Sequence, residues 1–332
     1  MNGAGDDSLV LFPSHSSSIS EDSQQSSSPI PIALASRGFL RSRGFELVQL
    51  LQDSLQGQVW LAKYSGKKVV VKVIRKSFCS ERKAFDGRQV AENALREIEV
   101  METLESLPHP NVIRMVQSLE DTDNIFIVLE HASRGDLLTF LLNRRLSEED
   151  ARVIFLQILS GVTHLHDCQI CHLDLSLENC LITQEGILKI CDFGLARLNP
   201  FYESFVSKPS YRPGKLHYMS PEIVELQEFN GFSSDLYSLG VILFCLLFQF
   251  FPYDAPRHTD PAFLAVVQGD ICDVLRIHNC LGRVSQSAES LLRGLLCLED
   301  VRMTLEEVQD HPWLRGDPTT GQYSDEDMDL SD

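Results

Sequence analysis

Three oxygen-bearing side chains stand close together in the middle of the chain. Asp174 is followed by Asn179 five residues later and by Asp192 eighteen residues later. Carboxylate and amide oxygens are ligands that a hard cation such as Mg²⁺ prefers, so Asn179 and Asp192 could hold a metal ion. The simpler alternative is that Asp174 and Asn179 only make hydrogen bonds within a turn.

A lysine stands at the end of a β-branched run. Lys72 follows Val69, Val70 and Val71, and a buried ammonium group is costly unless an acid lies beside it. The alternative is an edge-strand lysine whose tip reaches water.

The segments that would position these residues change character along the chain. Up to residue 130 the hydrophobic pattern predicts strands at 45–51, 59–64, 68–74, 112–119 and 125–129, and one amphipathic helix at 91–107. Beyond residue 130 it predicts helices at 136–143, 147–167, 233–250, 285–297 and 304–310. We therefore expect an α+β fold in which a mostly β lobe precedes a mostly α lobe.

The composition of the 332 residues limits the class of protein. Hydrophobic residues make up 43%, enough for a sizeable core, and the formal net charge of -18 argues against nucleic acid as a partner. The nine cysteines stand singly, which fits a reducing compartment, cytoplasmic or nuclear. The longest apolar run, residues 239–251, is shorter than the roughly 20 residues of a membrane span, so we expect a buried helix and no span. The oligomeric state stays open.

Both ends of the chain are polar. Residues 1–44 are rich in serine and are expected to be disordered, because they offer too little apolar surface to offset the entropy of ordering. Residues 316–332 carry six acids and no base, and we expect a disordered acidic tail there. Residues 45–315 remain as one globular domain.

Five motifs in a fixed order give the chain a family resemblance. They are VVVK at 69–72, REI at 96–98, HLDLSLEN at 172–179, DFG at 192–194 and SPE at 220–222. Over residues 45–314 the chain resembles a eukaryotic protein kinase of the serine/threonine type. The resemblance implies a bilobal protein-kinase-like fold, with an antiparallel β N-lobe at about 45–130 that includes one key helix, and a mostly α C-lobe at about 131–315. It also implies an ion pair between Glu222 and Arg302.

The resemblance implies ATP and Mg²⁺ as cofactors and assigns roles to individual residues. Asp174 would be the catalytic aspartate that accepts or orients the proton of a substrate hydroxyl, and Asn179 and Asp192 would hold the metal. Lys72 would contact the ATP phosphates and pair with Glu97 of the helix. The nucleotide-binding residues would be Leu51, Gln52, Ser54, Gly57, Val59, Val70, Lys72, Leu129, Glu130, Ala132, Asp136 and Leu181.

The glycine-rich loop of the family, GxGxxGxV, is altered in this chain. The matching residues 52–59 read QDSLQGQV, so only Gly57 is kept. Because glycine permits close approach of the backbone to phosphates, Gln52 and Ser54 should loosen nucleotide binding, and Asp53 would add an unfavourable negative charge. We expect weaker affinity for ATP, and not its loss.

A second departure concerns a lysine of the catalytic site. Two residues beyond the catalytic aspartate, serine/threonine kinases usually have a lysine and this chain has Ser176; where they usually have a threonine before the SPE-type motif, it has Lys215. In the family these two side chains meet beside the aspartate, so a reciprocal exchange would keep one ammonium and one hydroxyl at the catalytic site. The alternative is that Lys215 is an exposed loop lysine and the site has lost its cation.

A third departure affects regulation. Leu173 stands where many kinases have an arginine that gathers a phosphate on the segment between DFG and SPE. Ser204, Ser207 and Ser210 could carry such a phosphate, but its usual cationic partner is missing. We hypothesise that activity does not require phosphorylation of this segment.

These observations predict an ATP- and Mg²⁺-dependent kinase that transfers the γ-phosphate to serine or threonine of protein substrates. We expect substrates with basic residues near the phosphosite, because Asp136 and Glu178 match positions that read arginines in relatives. The alternative is a pseudokinase that acts as a nucleotide-binding or scaffolding module, which the altered glycine loop favours. A tyrosine kinase or a small-molecule kinase fits the catalytic loop and the SPE motif less well.

Overall fold

The computed structural model describes residues 34–54, 57–77, 93–142, 144–199, 206–207 and 212–316. The serine-rich residues 1–33 and the acidic tail after residue 316 lie outside this part of the chain, so their disorder stays a prediction. Ser204 and Ser210 also lie outside it, and only the backbone of Ser207 is described.

Five antiparallel strands form the first lobe. They lie in the order β1-β2-β3-β5-β4 and are β1 (Phe45–Ser54), β2 (Gly57–Tyr64), β3 (Lys67–Arg75), β4 (Met115–Glu120) and β5 (Asn124–Glu130). Side chains of the central strand β3 alternate between the two faces of the sheet. Val69, Val71 and Val73 are buried on the outer face, whereas Val70 and Lys72 lie half-buried on the inner face.

A helix that the sequence pattern did not predict covers the outer face of this sheet. Helix α1 (Leu34–Ser42) lies within the segment expected to be disordered, and that expectation is wrong for residues 34–44. Leu40 is fully buried, and the rings of Phe39 and Phe126 stack with their centroids 5.6 Å apart. The few apolar residues of α1 could not stabilise it alone, but the sheet supplies the surface on which they are buried.

One helix packs against the inner side of the first lobe. Helix α2 (Ala94–Glu105) begins at its N-cap Asn93, whose side chain accepts hydrogen bonds from the backbone N–H groups of Leu95 and Arg96. Glu97 is buried with Met101 and Leu104, at helical spacing on one face. Glu97 therefore places its carboxylate in the interior of the domain, on the same face of α2 as the apolar residues.

The second lobe is mainly helical. Its helices are α3 (Leu137–Leu141), α4 (Glu148–Asp167), α5 (Pro221–Val224), α6 (Gly231–Phe248), α7 (Pro261–Val267), α8 (Ile271–Ile277), α9 (Gln286–Leu295) and α10 (Leu305–Gln309). Helices α5, α7 and α8 were not predicted, because segments of four to seven residues show too little of the 3.6-residue period. The β lobe followed by this helical lobe confirms the predicted α+β, bilobal protein-kinase-like fold.

Helix α6 forms the core of the second lobe. By length and composition it could cross a membrane, but 83% of its apolar window is buried inside the domain. The interpretation of the long apolar run as a buried helix agrees with this packing.

A buried ion pair ties α5 to the segment before α10. The Nη1 and Nη2 atoms of Arg302 lie 2.8 Å and 3.1 Å from the two carboxylate oxygens of Glu222, and Arg302 also donates to the carbonyl oxygens of Ser233 and Cys297. The side chains of Arg302 and Glu222 are 0% and 6% exposed. The pair that the resemblance implied is therefore present.

Candidate active site

Three charged side chains meet between the two lobes. The ammonium of Lys72 donates to Glu97 Oε1 and Oε2 at 3.1 Å and 2.8 Å and to Asp192 Oδ1 at 2.9 Å. Strand β3 lies between β2 and β5, and only 14% of the Lys72 side chain is exposed. Lys72 is therefore a paired lysine of a central strand, and the edge-strand alternative is wrong.

The charges of this trio stabilise one another. Burial alone would lower the pKa of Lys72, but the carboxylates of Asp192 and Glu97 outweigh it and raise that pKa well above 10.5. The ammonium of Lys72 in turn lowers the pKa of Asp192 to about 2. At neutral pH Lys72 is therefore protonated and Asp192 ionised.

Asp174 and Asn179 lie on one loop, between β6 (Ile170–Cys171) and β7 (Cys180–Ile182). The Asn179 Nδ2 group donates to the Asp174 carbonyl oxygen at 2.7 Å and to Asp174 Oδ2 at 2.8 Å. These are the hydrogen bonds that the turn interpretation predicted. They also fix the orientation of the Asn179 amide, and its Oδ1 atom is left as an acceptor.

Asp235 of α6 anchors the loop at residues 172–179 that carries Asp174 and Asn179. Asp235, 1% exposed, accepts hydrogen bonds from the backbone N–H groups of His172 and Leu173 at 2.7 Å and 2.8 Å and from His166 Nε2 at 3.0 Å. Leu173 has φ 62°, a left-handed conformation that costs a leucine free energy, and the two charge-assisted bonds offset that cost. The helical pattern alone does not predict this role of Asp235, although an acid within an apolar helix is a signal for it.

Lys215 and Ser176 meet at Asp174. Lys215 Nζ lies 3.1 Å from Asp174 Oδ2 and 3.1 Å from Ser176 Oγ, and the Lys215 backbone N–H donates to Asp174 Oδ1 at 3.0 Å. The preceding Gly214 has φ +91°, and a Cβ atom there would lie 2.7 Å from the Leu173 carbonyl oxygen. Glycine at position 214 thus lets the chain before SPE approach the catalytic loop.

Electrostatics keep the Lys215 side chain charged. Burial alone would lower its pKa, but Asp174, Glu178 and Asp192 outweigh that effect and raise the pKa above 10.5. The side chain is 36% exposed, so it is half-buried against the catalytic loop. The interpretation of Lys215 as an exposed loop lysine does not fit these contacts.

Leu173 joins an apolar cluster instead of a phosphate site. It is 6% exposed and packs in a cluster with Cys171, Met219, Ile223 and Phe229. Met219 and Ile223 flank the Ser220 and Glu222 positions of the SPE motif. The catalytic loop and the SPE segment are therefore held together by apolar burial at this point.

The predicted nucleotide walls share the inner face of the sheet. Val59 lies opposite Lys72, and Val70 lies opposite Leu129. Paired residues of neighbouring strands share a face, and Val70 and Lys72 are two residues apart, so all four side chains lie on the inner face. Half-buried residues on this side are Val59, Val70, Leu129, Ala132 and Leu181. Leu51 and Gln52 are exposed at an irregularity of the β1 register, and only the backbone of Ser54 is described.

Glu130, Ala132 and Asp136, three of the predicted nucleotide-binding residues, differ in what their polar groups contact. The Glu130 carboxylate accepts from the Arg114 N–H and from Lys189 Nζ, both at 2.8 Å, so its side chain is occupied. Ala132 makes no backbone–backbone hydrogen bond to another described residue. Asp136 forms a backbone bridge with Leu181, and its carboxylate caps α3.

Asp53 lies on the face of the hairpin away from the nucleotide walls. It pairs with Gln58 in the β1–β2 register, and Gln58 Nε2 donates to Asp53 Oδ1 at 3.0 Å. Gln58 in turn accepts from Trp60 Nε1 at 3.2 Å, and Trp60 packs on the outer-face cluster. The register and the bond to Gln58 therefore direct the Asp53 carboxylate away from the inner face that carries Lys72.

Gly57 is required by the sheet itself. A Cβ atom at this position would lie 1.8 Å from the Val73 carbonyl oxygen. The pairing of β2 with β3 therefore requires glycine at position 57, independently of any contact with a nucleotide.

The residues present fit a magnesium ion. Asp192 has one carboxylate oxygen bonded to Lys72 and a side chain that is 36% exposed, and Asn179 keeps an amide oxygen. Mg²⁺ is usually held by one or two protein oxygens together with substrate phosphates, and Asp192 and Asn179 supply that set. By contrast, no cluster of three or more His, Cys, Asp or Glu side chains within the described ranges could hold a metal alone.

Cys191, next to Asp192, is not a good nucleophile. Burial, followed by the charge of Asp192, raises the pKa of its thiol well above 9.0.

The comparisons with known proteins point to one family. The family described as the protein kinase domain matches residues 54–314. Serine/threonine-protein kinase SRK2F of Arabidopsis thaliana is 30% identical over 286 residues, which cover 84% of this chain and 73% of the plant protein. Serine/threonine-protein kinase SAPK7 of Oryza sativa subsp. japonica is 32% identical over 272 residues, 81% of this chain and 72% of that protein. NUAK family SNF1-like kinase 2 of Homo sapiens is 35% identical over 284 residues; these cover 83% of this chain but only 41% of the human protein.

Proposed function

Because the chain belongs to the protein kinase family, we propose that it is a catalytically active serine/threonine kinase that transfers the γ-phosphate of ATP to protein substrates. The observation that carries this proposal is the assembled trio of Lys72, Glu97 and Asp192. A lysine held by two carboxylates at the inner face of the sheet is set to receive a polyphosphate.

Each remaining residue has a defined task in the transfer. Asp174 lies at the end of the cleft with 12% of its side chain exposed, where it orients a substrate hydroxyl and takes its proton. Lys72 orients the phosphates, and Glu97 holds Lys72 in place. When bound, Mg²⁺ neutralises charge on the phosphates, and Asp192 and Asn179 are the residues that would hold it.

One observation favours the pseudokinase alternative. The hairpin between β1 and β2 carries Gln52 and Ser54 in place of two glycines, which restricts approach of its backbone to phosphates. Asp53 of the same hairpin lies on the outer face of the sheet, so its charge is directed away from the nucleotide walls. This position weakens the case for a pseudokinase.

The test is transfer of labelled phosphate from ATP with Mg²⁺ to a degenerate peptide library. We expect wild-type protein to label serine and threonine peptides, and Asp174→Asn to label them at least 100-fold more slowly, a typical loss for a catalytic acid or base. A thermal shift with ADP and Mg²⁺ for both proteins reports binding separately. Binding without transfer by wild-type protein would leave only the pseudokinase.

We also propose a preference for basic residues near the phosphosite. Asp136 and Glu178 are partly exposed, although both carboxylates already accept hydrogen bonds, from Thr139 and from Tyr218. The same peptide library measures this preference position by position, and selection of acidic peptides would contradict it.

A further inference from the structure

We propose that Lys215 supplies the catalytic cation that contacts the transferring γ-phosphoryl group, in exchange for a cation that the catalytic loop of this chain lacks at Ser176. This inference rests on the proposed kinase activity. It assigns a catalytic role to a residue of the segment between DFG and SPE, 41 residues beyond the aspartate that it contacts.

The first support is the double contact between Lys215 and Asp174. The backbone N–H of Lys215 reaches one carboxylate oxygen at 3.0 Å and its ammonium reaches the other at 3.1 Å. A lysine whose main chain and side chain both bind the same carboxylate has a fixed position relative to it. Because a substrate hydroxyl must also approach Asp174, the ammonium lies where the transferred group will be.

The second support is the state of Ser176. Its side chain is fully buried, and its hydroxyl accepts from the Asn179 N–H at 3.3 Å and from Lys215 Nζ at 3.1 Å. Ser176 therefore caps the turn that carries Asn179, and it gives the Lys215 ammonium a second acceptor. The hydroxyl and the ammonium occupy one site, with their positions in the chain exchanged.

The third support is the charge balance of the described site. Asp174, Asp192, Glu97 and Glu178 are acids, and Lys72 already binds Glu97 and Asp192. A phosphoryl group in transfer carries further negative charge on its oxygens. Among the described residues, Lys215 is the lysine or arginine whose cationic group contacts Asp174, so it is the cation that this charge meets.

The step that Lys215 assists conserves atoms and charge. The oxygen of a serine or threonine hydroxyl forms a bond to the γ-phosphorus, and the bond from that phosphorus to the bridging oxygen of ATP breaks, so ADP leaves. The hydroxyl proton passes to the Asp174 carboxylate. The Lys215 ammonium donates a hydrogen bond to a γ-phosphoryl oxygen and remains protonated throughout.

This placement couples the cation to substrate binding. Leu216, which follows Lys215, is 47% exposed and His217 is partly exposed along the same segment, and Gly214 brings the segment against the Leu173 carbonyl. A catalytic lysine at position 176 would stay beside Asp174 even if the segment around Lys215 moved away. In this chain the cation is in place only when the segment is docked.

The experiment uses the full chain and four variants: Lys215→Ala, Lys215→Thr, the double variant Ser176→Lys/Lys215→Thr, and Lys63→Ala as a matched control on an exposed strand position. Initial rates of peptide phosphorylation give kcat and KM for ATP, and a thermal shift with ADP and Mg²⁺ reports folding and nucleotide binding.

We expect both single variants of Lys215 to lose at least about 100-fold in kcat, the range seen when one charge-stabilising donor is removed, with KM for ATP changed less than about threefold. The double variant should recover at least tenfold over Lys215→Thr, because its ammonium returns from position 176. Lys63→Ala should keep wild-type kcat.

Each result decides the inference. A kcat of Lys215→Ala within threefold of wild type overturns it, as does a double variant no faster than Lys215→Thr while its ADP-induced thermal shift is normal. If Lys215→Ala does not fold, the comparison of Lys215→Thr with the double variant decides. Absence of transfer by wild-type protein would instead remove the proposed kinase function, so the two failures are distinguishable.

Discussion

Replacement of Arg302 by methionine should lower the free energy of unfolding of the helical lobe by about 3–5 kcal/mol, the usual cost of removing one partner of a buried ion pair. The carboxylate of Glu222, 6% exposed, would lose both of its hydrogen bonds from Arg302. The carbonyl oxygen of Cys297 would lose two donors as well. Methionine matches the unbranched stem of arginine, so the loss is electrostatic more than a loss of volume.

The double variant Arg302→Met/Glu222→Met separates the charge from the packing. It leaves no unpaired buried carboxylate, and the main remaining penalty is the unsatisfied carbonyl of Cys297, worth about 1–3 kcal/mol. We therefore expect the double variant to be more stable than Arg302→Met alone. An exposed pair provides the control: Arg276 and Asp273 are 59% and 52% exposed, and Arg276→Met should change stability by less than about 1 kcal/mol.

The assay is urea unfolding followed by tryptophan fluorescence. The chain has two tryptophans, of which Trp313 is fully buried in the helical lobe, so a Trp60→Phe background makes the signal report that lobe. By differential scanning the single variant should melt roughly 6–20 °C lower, at about 2–4 °C per kcal/mol for a domain of this size. The reasoning is refuted if Arg302→Met costs no more than Arg276→Met, or if Arg302→Met/Glu222→Met is no more stable than Arg302→Met.

Two further outcomes follow from the fold and the site. Leu40→Ala should destabilise the first lobe by about 2–5 kcal/mol, because Leu40 is fully buried against the sheet, while the exposed Arg41→Ala should change it by less than about 0.5 kcal/mol; equal melting temperatures for the two variants would show that α1 is not docked. Phosphatase treatment of the purified protein should leave its transfer rate within about twofold, because Leu173 holds the SPE segment by apolar packing; abolished activity with an unchanged melting temperature would contradict this.

Local patterns in the sequence were enough to predict much of the architecture. The β-branched run within residues 68–74 marks a strand, and the spacing of Met101 and Leu104 marks one face of a helix. These patterns depend on the period of each element, so a single stretch of chain carries them. They failed for α1, whose buried residues make sense only against a sheet formed by later residues.

The motifs identified the chemical groups of the site, but not how those groups are arranged. Residues 52–59 gave no sign of which face Asp53 would occupy, and only the register with Gln58 decided it. Similarly, Asp235 was recognisable as an acid in an apolar helix, yet its contacts with the backbone of the catalytic loop span 62 and 63 residues.

The sequence by itself determined the lobes, the order of the motifs and the types of charged group, because these are properties of neighbouring residues and of matching positions. Tertiary structure decided which charges meet. The family resemblance implied both pairs, but only the packing of the whole domain brings Lys215 onto Asp174 across 41 residues and Arg302 onto Glu222 across 80. The physical reason is that an ion pair forms where packing of the whole domain brings two groups within about 3 Å and removes the water between them, and no local pattern encodes that distance.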